Sequence, residues 1–155
     1  MYGTLVPAAL DSSLYISELK CRRRDSALAE LVGCARRAGV VRNAETLLEL
    51  LERREALGST APGKSVAIPA VRSLAVLEPR IVVGRSRRGI DWDAPDRQRV
   101  RLVALVLSPA DCAAATHVET VTRIAGAFRL QRQRQRILDA ESYQAVADVL
   151  REALP

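Results

Sequence analysis

Arg54-Glu55-Ala56-Leu57-Gly58-Ser59-Thr60, followed by Gly63 and then by Val66-Ala67-Ile68-Pro69-Ala70-Val71-Arg72, is the stretch whose reading decides the fold. It carries the chain out of a helix, through a polar turn and into a strand. Upstream, Asn43 can cap a helix with Glu45 in its first turn, where the dipole favours an anion. Leu47, Leu48, Leu50 and Leu51 give that helix an apolar stripe, and Gly58 ends it. Downstream, Val66–Ile68 reads as a short strand bounded by Gly63 and Pro69.

Working outward, Leu14–Leu19 reads as a first strand. Asp25 or Ser26 can cap a helix running to about Ala38, with Ala27, Leu28, Leu31 and Val32 on one face and Gly39 as a left-handed stop. Arg80–Ser86 is a further strand in which Gly84 suggests a bulge. Val100–Leu107 is apolar on both faces and predicts a central strand. Between them, Gly89–Asp96 reads as a polar turn whose Trp92 packs as a lid on the sheet edge. Ser108-Pro109-Ala110-Asp111 opens a long helix to about Phe128, and helices near Gln131–Ala140 and Ser142–Leu154 close the chain. Two helices, a block of strands and three more helices predict an α/β fold, a three-layer α/β/α sandwich with a mixed sheet covered on both faces. We expect residues 1–12 to be an N-terminal extension and residues 13–155 to form one domain, with Met1 pointing to a free-standing product.

Composition narrows the function. Of 155 residues 48% are hydrophobic and 27% charged, which is the balance of a soluble globular domain. No apolar run is long enough to span a membrane and no secretory signal opens the chain, so we expect a cytoplasmic protein. Cys21, Cys34 and Cys112 are far apart and never spaced CxxC, which argues for reduced thiols and against zinc. The net charge of +6 comes largely from arginines at Arg22–Arg24, Arg85–Arg88 and Arg129–Arg136. Few aromatics accompany them and no reading module is recognisable, so nucleic acid is not the expected partner. The arginines suit an acidic protein surface instead.

The quoted stretch resembles the signature of type 2 enzyme IIA domains of the bacterial phosphotransferase system, the fructose–mannitol–nitrogen-regulatory branch. That signature has an Arg-Glu pair, a Gly-Ser-Thr turn, glycines, then Ala-Ile-Pro-His and a basic residue. Leu107-Ser108-Pro109-Ala110-Asp111 with His117 looks like the family's second motif, and Gly89-Ile90-Asp91-Trp92 sits where the family has a glycine-led hydrophobic-acidic turn. The resemblance covers residues 13–154. It implies a phosphohistidine relay, fed by a small phosphocarrier protein, in which positioning and screening of oxygen charge outweigh acid–base chemistry.

Carried over by residue, Arg54 matches the arginine that faces the phosphoryl oxygens. Ser59 and Thr60 match the turn beside them, Arg72 the basic residue after the histidine, and His117 the family's second histidine. The decisive departure is Ala70, which stands where the family keeps its phosphoryl-accepting histidine. A methyl group has no nucleophilic lone pair. Ala61-Pro62 and Lys64 also replace the usual glycine-rich turn, so drift of a whole loop explains the change better than one engineered substitution. The resemblance therefore implies a regulatory, protein-binding module held unphosphorylated, with a phosphocarrier, sensor kinase or transporter as partner and with no cofactor or metal. A phosphate-like anion bound in a vestigial site, and phosphoryl transfer through His117 instead, are the alternatives.

Overall fold

The computed structural model describes residues 8–153. Residues 1–7 of the expected extension, and Leu154 at the end of the last expected helix, lie outside that range. Five strands form one mixed sheet. They are β1 (Tyr15–Ile16), β2 (Val66–Ala67), β3 (Ala70–Ser73), β4 (Arg80–Ile90) and β5 (Val100–Pro109). The order is β1-β4-β5-β2, and β3 also pairs with β5. Only β4 and β5 are antiparallel, with Val82 opposite Leu105. β1, β2 and β3 are parallel to their neighbours.

Among the described residues five helices cover this sheet: α1 (Arg24–Arg37), α2 (Ala44–Leu57), α3 (Ala114–Arg129), α4 (Gln131–Asp139) and α5 (Tyr143–Ala153). The alternation of β5 explains the layering. Val103, Leu105 and Leu107 point into a core shared with Leu28, Leu31, Leu47 and Leu51 of α1 and α2. Leu102, Ala104 and Val106 point the other way, against Ile124, Phe128, Ile137, Val146 and Leu150 of α3, α4 and α5. A strand buried on both faces has no polar period, as its sequence indicated. Among the described residues no helix is long and apolar enough to cross a membrane.

Several local expectations are corrected. Leu14 closes a short 3-10 turn, Ser12–Leu14, so the first strand is only Tyr15–Ile16. Arg23, not Asp25 or Ser26, caps α1; the Arg24 N–H donates to the Asp91 carbonyl at 3.0 Å, which starts the helix from a tertiary contact. Asn43 does cap α2, accepting from the Thr46 N–H at 3.1 Å. Gly84 is in register opposite Val103, and the irregularity falls between Arg85 and Ile90. The strand packs closely there: an added Cβ would lie 3.0 Å from Leu19 and 3.1 Å from Leu31, so those side chains would have to shift. The Ser108-Pro109 pair ends β5 rather than starting α3. Strand β3 was not expected at all: Ile68-Pro69 interrupts the edge, and pairing resumes at Ala70↔Val106. Trp92 is 1% exposed and sits in the core beneath α1 and α2, not as an edge lid.

At the other end of the chain, Ala9 and Leu10 pack into the second core cluster, and the Ala9 carbonyl accepts from the Ile81 N–H at 3.0 Å. Residues 8–10 thus lie against the sheet. Arg85, expected on an exposed basic face, is structural. Its guanidinium donates to the carbonyls of Ile137 (2.9 Å) and Ala140 (2.6 Å), and it lies 5.5 Å from the Tyr15 ring centroid. One side chain thereby holds the α4–α5 turn to the sheet. Arg134 likewise turns inward onto the carbonyls of Phe128 and Arg129. The three cysteines are free thiols. Cys21 is pushed up to about 12 by burial and by the Glu30 carboxylate it donates to.

Candidate functional site

The register of β3 on β5 assembles one part of the site. Ala70 lies opposite Val106 and Arg72 opposite Ser108, so with a period of two these four share one face of the sheet. That is the face covered by α3, α4 and α5, against which Ala70 packs while remaining half-buried. Ser108 is 4% exposed, and its Oγ lies 2.6 Å from His117 Nδ1 on the first turns of α3. Arg72 reaches across the loop before α3, donating to the carbonyls of Ala110 (3.0 Å) and Cys112 (2.9 Å). Arg72 thereby fixes the loop that aims His117.

Burial, and then the positive charge of Arg72, hold the His117 imidazole below its ordinary value of 6.5. It is therefore neutral at pH 7. Two tautomers fit the Ser108 bond. With the proton on Nδ1, the ring donates to Ser108 and leaves a lone pair on Nε2; with the proton on Nε2, Ser108 donates instead. The sign of the linked stability effect follows. Protonating His117 is harder in the folded chain, so the unfolded chain binds more protons just below pH 6.5, and stability is lost as pH falls through that window. Arg72→Ala is expected to raise the His117 pKa toward 6.5, read as the imidazole chemical shift against pH. An unmoved titration would contradict the role given to the guanidinium.

The second part of the site comes from the other layer. Helix α2 covers the opposite face of the sheet, and its C-terminal turn reaches the edge just before Ala70. The Thr60 carbonyl accepts from the Ile68 N–H at 3.0 Å. Glu55, 4% exposed, holds this turn: its carboxylate accepts from the Thr60 N–H at 3.1 Å and from the Thr60 hydroxyl. Ser59 Oγ accepts from the Ala61 N–H at 3.1 Å. Arg54 donates to the Gly58 carbonyl at 2.7 Å, closing the end of its own helix.

The predicted residues therefore fall into two groups. Arg72 and His117 meet around Ser108, and Ala70 lies two residues before Arg72 on the same strand face. Arg54, Ser59 and Thr60 form a braced turn joined to them through Ile68-Pro69, without a direct hydrogen bond between the groups among the described residues. Sequence reading missed two contributors. Ser108 was quoted only as part of a motif, and nothing local pairs it with a histidine nine residues later. Glu55 was visible in the Arg-Glu pair, but its bonds to Thr60 depend on the path of the turn.

With this geometry established, kinship can be stated. The family model described as "Phosphoenolpyruvate-dependent sugar phosphotransferase system, EIIA 2" matches residues 9–153, almost the whole chain. The chain belongs to the EIIA 2 family. A nitrogen regulatory protein from Bradyrhizobium diazoefficiens is 35% identical over 137 residues, covering 88% of this chain and 87% of that one. The nitrogen regulatory protein IIA-Ntr from Neisseria meningitidis superposes with a TM-score of 0.85 at 27% identity, covering 93% and 97% of the two chains. The chain also matches, at 28% identity over 134 residues, the PTS system fructose-specific EIIABC component of Bacillus subtilis, of whose length it spans 21%. The three-layer fold and mixed sheet are those of this EIIA family.

Proposed function

We infer that this EIIA 2 protein does not accept a phosphoryl group at the family position and acts as a regulatory, protein-binding module in one charge state. The observation that carries this reading is Ala70. Half-buried, it lies on the sheet face that also carries Arg72 and Ser108, with a methyl side chain where the signature has an imidazole. Active relays of this kind change charge at their docking face when phosphorylated. A chain without the acceptor presents one state, so partner binding is constitutive. The partner classes this reading favours are a phosphocarrier-like protein, a sensor kinase or a transporter, met in the cytoplasm.

The test uses labelled phosphoenolpyruvate with the small phosphocarrier protein and the enzyme that charges it. No stable label on this chain is expected; a stable label would sink the reading. A second reading has one observation in its favour. His117 is held neutral, and in one tautomer its Nε2 carries a free lone pair, the form a phosphoryl acceptor needs. A label that disappears in His117→Ala would install that reading instead. The anion-binding alternative rests on Arg54, Ser59, Thr60, His117 and Arg72. It is weakened because the Arg54 guanidinium already bonds Gly58.

A further inference from the structure

The far end of β5 from Ser108 carries a feature the phosphotransfer site does not use. Here the β4–β5 hairpin bears Arg87, Arg88, Arg97, Arg99 and Arg101, all exposed. Arg101 donates to the Arg87 carbonyl at 2.8 Å, and Arg99 lies over Gly89, where an added Cβ would meet the Arg99 Cβ at 2.6 Å. Backbone bonds bring two more basic segments alongside. The Asp91 N–H donates to the Arg22 carbonyl at 2.7 Å, which places Arg22 and Arg23 on one flank. The Lys64 N–H donates to the Asp96 carboxylate at 2.8 Å, which places Lys64 on the other.

None of these eight exposed cations is in an ion pair among the described residues. Carboxylates lie nearby without pairing to them: Asp91, Asp93 and Asp96 on the hairpin itself, and Glu18, Asp139 and Glu141, which line one cavity with Arg87, Arg88 and Arg101. Two of these cap backbone: Glu18 the Arg87 N–H, Asp96 the N–H groups of Lys64 and Gln98. An excess of positive charge is thus gathered at one end of the sheet, partly offset by these carboxylates. Folding gains nothing from it, because like charges held together repel.

We propose that this hairpin end is a second docking surface, separate from the Ala70–His117 site, for a carboxylate-rich protein surface. Seven of the eight cations are arginines, whose planar forks pair bidentately with carboxylates. The same forks suit phosphates, and two observations favour protein over nucleic acid. The hairpin offers no stacking platform, since its one aromatic, Trp92, is 1% exposed. Exposed Asp91 and Asp93 stand among the arginines, where a continuous phosphate backbone would meet repulsion and a mixed protein surface need not. The two surfaces are separated by nearly the length of β5, roughly 25–30 Å. A partner here leaves the phosphotransfer end open, so two proteins can be held at once. Neither Ala70 nor His117 takes part, so failure of this proposal leaves the reading of their site untouched.

Fluorescent poly-L-glutamate is the probe, titrated against the full chain at low and physiological salt, with duplex DNA and phosphatidylglycerol vesicles as parallel arms. Poly-L-glutamate is expected to bind, to weaken as salt rises, and to lose about tenfold or more in the triple variant Arg87→Glu, Arg88→Glu, Arg97→Glu. The charge-matched triple Arg36→Glu, Arg42→Glu, Arg53→Glu, at exposed sites elsewhere, is expected to stay within about twofold of the parent. Equal weakening in both triples would reduce the effect to net charge and overturn the proposal. So would tighter binding of duplex DNA or of vesicles than of poly-L-glutamate at the same salt. If circular dichroism shows the first triple unfolded, glutamine at the same positions replaces it under the same criteria.

Discussion

Ala70→His is expected to convert a chain that takes no label from phosphocarrier and labelled phosphoenolpyruvate into one that does. Position 70 opens β3, where pairing with Val106 fixes the backbone and so the direction of any side chain placed there. The existing methyl is half-buried, so a ring at this position can keep one edge toward solvent and a donor. Arg72 lies on the same strand face to screen phosphoryl oxygens, although its bonds to Ala110 and Cys112 compete for the guanidinium. Transfer is expected to run about a hundredfold slower than in a relative with an intact signature, because Ala61-Pro62 and Lys64 have reshaped the neighbouring turn and misplacement near 1 Å costs about that much. The label should be acid-labile and base-stable, as phosphohistidine is. It should persist in the double variant with His117→Ala, which separates position 70 from the native imidazole. A folded Ala70→His chain that stays unlabelled would show that position 70 does not occupy the acceptor site.

Trp92→Ala should bring the fold close to collapse, costing about 3–5 kcal/mol. The indole is the largest fully buried side chain, in the core cluster shared with Leu28, Leu31 and Leu51. A domain of this size is stable by only about 5–15 kcal/mol, so a loss of that order is a large share. Trp92→Phe should cost far less, roughly 1 kcal/mol, because most of the apolar contact survives. It also removes an indole N–H that finds no acceptor among the described residues. Urea unfolding followed by circular dichroism measures both, since the chain's single tryptophan is lost as a reporter. A cost below about 1 kcal/mol for Trp92→Ala would mean that the residues after β4 are not tied to the core. The hairpin end would then lack the anchoring that fixes its arginines.

The sequence by itself determined the layers. Apolar periods of 3.6 in Ala27–Val32 and Leu47–Leu51, and the unbroken apolar run of Val100–Leu107, dictate helices against both faces of a central strand, because burial is encoded in local spacing. The Arg54–Arg72 signature carried the family in the same way, and the substitution at Ala70 is legible in one letter. Tertiary structure alone decided the rest. Strand β3 is four residues long behind a proline, too short for a period, and exists because β5 offers it an edge. Arg85 reads as surface charge until two segments, one at Ser17 and one spanning Ile137 and Ala140, present their carbonyls to it. Ser108 meets His117, and Trp92 meets the core, through contacts whose partners are set by the path of the whole chain. Composition and spacing specify which faces are buried; only the folded backbone specifies which polar groups then meet.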